Sequence, residues 1–244
     1  MRRLVLPPPT VRRPEPGQDQ AIALLLGGAF AMALLVLGSL VGGWSLSPLT
    51  WYIARSSGLV LYLLTWFGMM SGMGMTTKLL ARLGSRGTTL SVHAYAFHLW
   101  YGFLLLHVVS LALDPTVSFG PRDLVIPFAS GFREPWTGLG VLAAEVSLVV
   151  GASFGIRRII GYRAWRTLHW LAFPVFLTGL AHGVGAGTDT RDPAVLGMYV
   201  ITGGSVLVMA LYRLLRGSPK ERPLPETTLA PRDRLQRASG DGWR

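Results

Sequence analysis

Histidine is the residue type in this chain best suited to metal or redox chemistry. The 244-residue sequence has five histidines and no cysteine. His93, His98 and His107 lie in the mostly apolar stretch HAYAFHLWYGFLLLH, and His169 and His182 lie in HWLAFPVFLTGLAH. A neutral imidazole binds a metal through one ring nitrogen and offers the other to a polar partner. The lack of cysteine excludes disulfides, thiolate-bound haem, covalent haem attachment and cysteine-bound iron–sulfur clusters, so a redox metal here would have to use histidine.

The elements that carry these histidines are predicted to be membrane-spanning helices. The sequence is 50% hydrophobic and 14% charged, with a mean hydropathy of +0.43, whereas a soluble domain has about 25% charged residues. Short charged segments separate apolar stretches of the ~20 residues needed to cross a ~30 Å hydrocarbon core. We therefore predict an all-α integral membrane protein, a six-helix transmembrane bundle with spans at roughly 21–43, 53–75, 90–113, 136–156, 165–185 and 194–215.

The charges of the loops and tails predict how the bundle is oriented. Alternating sides of the six spans carry nineteen and four of the 23 Lys and Arg residues. The positive-inside rule then places both termini in the cytoplasm, in the cell's inner or plasma membrane, with membrane lipid around the spans. We expect a cytoplasmic tail at 1–20, the six-helix domain at 21–216 and a disordered cytoplasmic tail at 217–244. The first span lacks a cleavage pattern, so we expect it to be retained. The net charge of +11 thus reflects topology, and no nucleic-acid partner is expected.

The histidines fall at two depths of this predicted bundle. The third and fifth spans both run from the cytoplasm outward; His93 and His169 lie near their cytoplasmic ends, and His107 and His182 lie nearer their outer ends. Spacings of 14 and 13 residues correspond to roughly 20 Å of helix rise. Two levels of imidazoles predict two b-type haems stacked across the bilayer, each with histidine at both axial positions. A zinc site would instead need its ligands around one point.

The helical phase of the histidines supports this arrangement for the third span and leaves it open for the fifth. His93 and His107 are about 40° apart on an ideal helix and share a face, whereas His169 and His182 are about 140° apart. Pro174 lies between the latter two and predicts a kink that re-aims part of the fifth span. His98 faces away from His93 and His107, and we interpret it as a hydrogen-bonded contact between helices.

Residues 51–215 resemble the ferric reductase-like transmembrane domain family. This family includes ferric reductases, NADPH oxidases and the haem-bearing membrane subunit of bacterial methionine sulfoxide reduction. The resemblance rests on the spacing of the two histidine sets and on several phrases, which are similar to those of a bacterial single-domain subgroup of the family. These phrases are ARSSGLV, LHVVSLALDPTVSFGPRDLVIPFAS, WTGLGVLA, YRAWRTLHWLAF and HGVGAGTDT. It implies that His93 pairs with His169 and that His107 pairs with His182, as axial ligands of two haem b irons.

The resemblance also implies an electron-transfer role, as the membrane subunit of an oxidoreductase. Full-length members carry FAD- and NADPH-binding domains after the last span, but only about 28 residues follow it here, fewer than a βαβ nucleotide-binding unit requires. GVGAGTDT also lacks the dinucleotide fingerprint. We therefore expect no FAD or NAD(P) site in this chain, a separate cytoplasmic flavoprotein or quinol as donor, and an acceptor protein or metal chelate at the outer face.

Three charged residues are further candidates. Arg166, one turn before His169, could pair with propionates of the inner haem or be an ordinary positive-inside charge. Arg55 could meet the outer haem's propionates or an anionic acceptor. Glu145 lies mid-span, where a carboxylate is costly and indicates proton uptake, quinone contact or a hydrogen bond to a neighbouring helix. The competing class of function is a haem-free membrane scaffold or transporter subunit whose histidines pack or relay protons.

Overall fold

A computed structural model describes residues 48–77 and 86–216, and these residues form helices without any strand. The elements are α1 (Leu49–Thr77), α2 (Arg86–Ala112), α3 (Pro121–Val125), α4 (Trp136–Gly155), α5 (Arg157–His169), α6 (Ala172–Ala186) and α7 (Pro193–Arg216). The predicted first span, the two tails and the residues between α1 and α2 lie outside the described part of the chain. The chain is an α-helical membrane protein, as the sequence predicts.

Four of these helices, α1, α2, α4 and α7, are long and apolar enough to cross a membrane. Their bounds agree within a few residues with the second, third, fourth and sixth predicted spans. The predicted fifth span, 165–185, overlaps the end of α5 and nearly all of α6. This pair of helices is bent by 41° and is either one broken span or a re-entrant loop. The described residues thus contain four candidate spans, or five with the bent pair.

The bend between α5 and α6 has a local cause in Pro174. Proline has no N–H, and its ring collides with the carbonyl four residues earlier, here that of Trp170. The helix accordingly breaks at Trp170 and Leu171, and Phe173 N–H donates to the Trp170 carbonyl at 3.1 Å in a tighter turn. The kink predicted from the sequence is therefore present, one turn ahead of the proline. It puts His169 and His182 on two helices with different axes.

The interior of the bundle combines a hydrophobic cluster, which includes Tyr62 and Phe176, with small hydroxyl side chains, and its outside is largely apolar. Ser57, Ser110 and Thr202 are each 4% exposed or less, whereas Leu207 and Leu214 are 60% and 74% exposed. This pattern is typical of a membrane bundle, in which small hydroxyl side chains permit close helix contact and leucine faces lipid. The most extensive contacts join α1 with α2 and α4 with α6, and α1 also packs on α6 and α7.

The end of the bundle that the charge distribution predicts to face outward, called the outer end below, is held by Asp114, in the loop after α2. Its carboxylate, only 2% exposed, accepts hydrogen bonds from the Thr50 hydroxyl at 2.9 Å and from the Thr116 N–H at 2.8 Å. The Thr116 hydroxyl donates to the same carboxylate. Burial alone would raise the pKa of Asp114, but these hydrogen bonds outweigh burial and hold the pKa below its usual value. Asp114 thereby ties the start of α1 to the end of α2.

Candidate functional site

The outer pair of histidines brings α2 and α6 together. The ring centroids of His107 and His182 are 6.4 Å apart, with an angle of 83° between the ring planes. His107 Nδ1 is 2.7 Å from the Ala54 carbonyl oxygen, and His182 Nδ1 is 2.9 Å from the Trp136 carbonyl oxygen. Since a carbonyl only accepts, each Nδ1 carries the ring hydrogen and each Nε2 keeps its lone pair. Two neutral imidazoles are therefore available as ligands.

The inner pair repeats this arrangement at the other end of the bundle. The ring centroids of His93 and His169 are also 6.4 Å apart, with an interplanar angle of 70°. His93 Nδ1 is 2.9 Å from the Ser71 hydroxyl oxygen. The His169 ring is stacked on Trp165, with centroids 5.3 Å apart and ring planes 22° apart. The structure therefore brings together the two pairs that the sequence resemblance implies.

The separation of the rings suits one metal ion between two imidazoles. A metal–nitrogen bond is about 2 Å long, and the ring centroid lies about 1 Å behind the nitrogen, which gives roughly 6 Å between centroids. Direct aromatic contact also occurs at about 4.5–7 Å, so one such pair would be unremarkable as packing. Here the same distance recurs at two depths, and three of the four rings also have a hydrogen-bonded Nδ1. Imidazoles that bind metals have this outer-shell arrangement.

Glycines on α1 and α4 make room for the histidine rings. A Cβ at Gly58 would lie 3.0 Å from His107 Cε1, and one at Gly140 would lie 2.5 Å from His182 Nδ1. Gly72 lies beside His93 in the same way, at 3.6 Å. Gly58 and Gly72 have the same fourteen-residue spacing as His107 and His93 on the antiparallel neighbour. Each of these three rings thus lies over a backbone position without a side chain.

A cavity surrounds the outer pair. The cavity has a volume of about 220 Å³, and His107, His182 and Gly140 line it together with Arg55 and Trp100. Pockets that hold drug-sized ligands are roughly 300–1,000 Å³, so the cavity is smaller than such a pocket. A planar cofactor beside the two rings would require the cavity to widen.

Arg55 lies on the rim of this cavity, but its charge already has a partner. The guanidinium forms an ion pair with Asp189, in which Nε donates to Oδ2 at 2.9 Å. The two side chains are 30% and 34% exposed, so the pair remains partly in contact with the surroundings. Arg55 thus lines the same cavity as the outer pair, as half of an ion pair, and its contact with propionates or an anionic acceptor stays a prediction.

The residues around the inner pair include an unsatisfied donor. Trp165 Nε1 is buried and has no hydrogen-bond acceptor within the described residues. It lies beside His169, and an indole N–H usually finds an acceptor when buried. A carboxylate of a bound group would supply one. Arg166, in the next position, is exposed and donates to the Tyr162 hydroxyl at 2.9 Å, so its guanidinium is accessible to the same carboxylate.

Two sequence candidates lie apart from the ring pairs. His98 is exposed, and its Nδ1 is 2.8 Å from the carbonyl oxygen of Ala94 on its own helix. It therefore joins neither pair, and the expected contact between helices is replaced by one within α2. Glu145 is half-buried in the middle of α4. The expected hydrogen bond from Glu145 to a neighbouring helix is not present among residues 48–77 and 86–216.

Sequence reasoning missed the residues that hold the histidines. Ser71 lies in no motif, and Trp165 lies in a phrase that supports the resemblance but had no role assigned to it. The Ala54 and Trp136 partners are backbone carbonyls that no side-chain pattern can reveal. The spacing of Gly58 and Gly72, which matches that of His93 and His107, is one signal that could have indicated close contact. Trp136 and Trp165 both contact paired histidines, the first through its carbonyl oxygen and the second through its ring.

Comparison with known proteins adds no relative. No protein-family model matches the chain, and no similar protein was found among curated proteins or solved structures. Within the described ranges no group of three or more metal-binding side chains converges on one point. The resemblance to the ferric reductase-like family therefore stays a prediction.

Proposed function

We propose that this protein is a transmembrane di-haem cytochrome b. It carries single electrons from a cytoplasmic flavoprotein or a membrane quinol to an acceptor protein or metal chelate at the outer face. The observation that supports this most is the repeated pair of imidazoles, 6.4 Å apart at each of two depths. The chain would serve as the membrane subunit of a ferric reductase-like oxidoreductase system.

The residues around the pairs fit haem b in three respects. His93 with His169 and His107 with His182 supply two neutral ligands at each level. Gly58 and Gly140 have no side chains and so leave room for the rings of His107 and His182. Trp165 has a buried N–H that could donate a hydrogen bond to a propionate. We assign the inner propionates to Trp165 and Arg166. When bound, haem b supplies an iron that accepts and releases one electron without proton transfer.

The haem-free scaffold or transporter remains the competing class. It would use Glu145 and the histidines as packing or proton-relay groups, since intramembrane carboxylates and imidazoles serve in such relays. That class does not require both levels to have the same ring separation, nor three rings to have their Nδ1 atoms hydrogen-bonded. We therefore favour the cytochrome.

The haem content of the purified protein tests the proposal. After expression with sufficient haem, we expect a low-spin b-type spectrum on reduction with dithionite and about two haems per chain. A colourless preparation without a Soret band would contradict the cytochrome and favour the competing class. About one haem per chain would limit the proposal to a single level.

The ion pair at the cavity rim yields a prediction on the outer haem's potential. Arg55→Gln leaves Asp189 as an unpaired negative charge and should lower the potential, because a nearby anion favours ferric iron. Asp189→Asn leaves Arg55 unpaired and should raise it. Both shifts should be on the order of tens of millivolts, since partial exposure screens the charges. Redox potentials measured by visible spectroscopy would show them.

The double variant Arg55→Gln with Asp189→Asn is the matched control, because it removes both charges and keeps side chains of similar size. Its outer-haem potential should return close to that of the unaltered protein. Single variants that shift the potential in the same direction would show that altered packing, and not charge, is the cause.

A further inference from the structure

The four paired histidines differ in what holds their Nδ1 atoms. At the outer level both rings donate to backbone carbonyls, those of Ala54 and Trp136, at 2.7 and 2.9 Å. At the inner level, His93 meets the hydroxyl of Ser71 at 2.9 Å. His169 has no hydrogen bond to its ring within the described residues and is stacked on Trp165 instead. The two levels are therefore alike in geometry and unequal in hydrogen bonding.

The direction of the Ser71 hydrogen bond follows from the proposed role of His93. If Nε2 binds iron, Nδ1 carries the ring hydrogen and donates it to the Ser71 oxygen. The single hydroxyl hydrogen of Ser71 can then be donated to the Gly68 carbonyl oxygen, 3.1 Å away. A hydroxyl oxygen polarises the ring less than an amide carbonyl does. The inner level has one weaker acceptor where the outer level has two carbonyls.

An acceptor on Nδ1–H makes the opposite ring nitrogen more basic, and hydrogen bonding around axial ligands is one means by which a protein sets a haem's potential. We infer that His107 and His182 are the more electron-donating pair, so that the haem they hold has a lower reduction potential than the haem held by His93 and His169. This inference rests on the proposed cytochrome function. It makes the inner level the one at which an electron preferentially resides, and the outer level the stronger reductant.

The charges near the two levels act in the same direction. Arg166, three residues before His169, is a cation without a carboxylate partner among the described residues, and a positive charge favours ferrous iron. At the outer level Asp189 already neutralises Arg55. All four rings keep some solvent exposure, but the two rings of the outer pair are more deeply buried than those of the inner pair. Deeper burial favours the less charged ferrous form at the outer level, so it opposes the effects of hydrogen bonding and charge. Hydrogen bonding and charge both favour electron residence at the inner level.

This order has a consequence for turnover. With two haems bound, a single electron from the donor would reside mostly at the level held by His93 and His169, with no bond made or broken and no proton moved. A second electron would then be needed to populate the level held by His107 and His182 to a large extent. The outer level is then the stronger reductant and faces the acceptor. We expect a preference for the inner level of at least tenfold, which is about 59 mV for one electron.

Opposed substitutions at Ser71 test the inference, with both haem potentials measured by stepwise reduction. Ser71→Ala removes the acceptor of His93 and should raise only the higher of the two potentials. Ser71→Asn offers a carbonyl oxygen in place of the hydroxyl and should lower that same potential. Ser110→Ala is the matched control, because it removes a buried hydroxyl that has no partner within the described residues. It should leave both potentials unchanged.

The outcomes separate this inference from the proposed function. Absence of haem from the unaltered protein would contradict the cytochrome itself. With two haems present, a shift of the lower potential in the Ser71 variants, or of neither, would overturn the inference alone. If a Ser71 variant loses one haem, the haem that it retains must be the one that has the lower potential in the unaltered protein. Retention of the higher-potential haem would also overturn it.

Discussion

His107→Ala should remove the outer haem and leave the inner haem in place. The substitution deletes one of two ligands and also the ring whose Nδ1 is held by the Ala54 carbonyl. Without it, His182 faces a cavity that has only one imidazole. We expect haem content to fall from about two to about one per chain, or the outer haem to become five-coordinate and high-spin. Haem quantification and the reduced-minus-oxidised spectrum would measure this.

His169→Ala is the corresponding substitution of a ligand at the inner level. It should remove or convert the inner haem by the same reasoning and leave the spectrum of the outer haem intact. The haem retained in each variant should differ from the haem retained in the other, since the ligands of the two levels differ in their hydrogen bonds. Potential measurements on the two variants would therefore complement each other.

The control for both variants is His98→Ala. His98 shares α2 with His93 and His107, but it is exposed and hydrogen-bonded within its own helix. Its loss should leave both haems and their spectra unchanged. A loss of haem from His98→Ala as large as that from His107→Ala would contradict our assignment of the ligands. It would indicate that the effect comes from a damaged α2.

The sequence predicts four of the candidate spanning helices closely, because length and hydropathy determine which helices could cross a membrane. The predicted span 136–156 and the observed α4 (Trp136–Gly155) differ by one residue at one end. The fifth span was harder, since α5 (RRIIGYRAWRTLH) is polar and only α6 (AFPVFLTGLAHGVGA) is apolar. Pro174 indicated a kink, but the break lies at Trp170 and Leu171 because the proline acts on the carbonyl one turn earlier. The first predicted span lies outside the described residues.

The site was predictable only as far as side-chain type and periodicity determine it. His93 and His107 share a face because fourteen residues nearly complete whole helical turns. His169 and His182 do not share one on a straight helix, and the structure shows that they reach their partners from two helices bent relative to each other. Their hydrogen-bond partners include backbone carbonyls, which every residue has. Periodicity carries no information about which carbonyl lies near a ring.

The partner of Arg55 shows the same limit for charges. Asp189 is 134 residues away in the sequence, and only the packing of α1 against the segment between α6 and α7 brings it to the cavity rim. A count of charges on each side of the membrane predicts topology, but it cannot pair individual residues. The sequence around Arg55 indicates a cation at the outer end and gives no sign of its partner. With Asp189 beside it, the rim is close to neutral.

Gly140→Ala should be as damaging to the outer haem as the loss of a ligand. The added Cβ would lie 2.5 Å from Nδ1, 2.6 Å from Cε1 and 2.8 Å from Cγ of His182, distances at which the ring must move. Such movement breaks the Nδ1 hydrogen bond to the Trp136 carbonyl and turns Nε2 away from His107. Overpacking of this kind costs about 1–3 kcal/mol. We expect loss of the outer haem with the inner haem retained, measured by haem content and spectrum.

Gly68→Ala is the matched control, because it adds the same methyl group within a membrane-spanning helix at a position where nothing lies within 4 Å of the new Cβ. Alanine is about 1 kcal/mol more favourable than glycine inside a helix, so this variant should keep both haems and be no less stable. The inner haem also reports that Gly140→Ala has folded, since His93 and His169 lie at the other end of the bundle. If Gly140→Ala binds two haems with an unchanged spectrum, the His182 ring does not lie against Gly140 when haem is bound. The glycine would then have no part in the outer site.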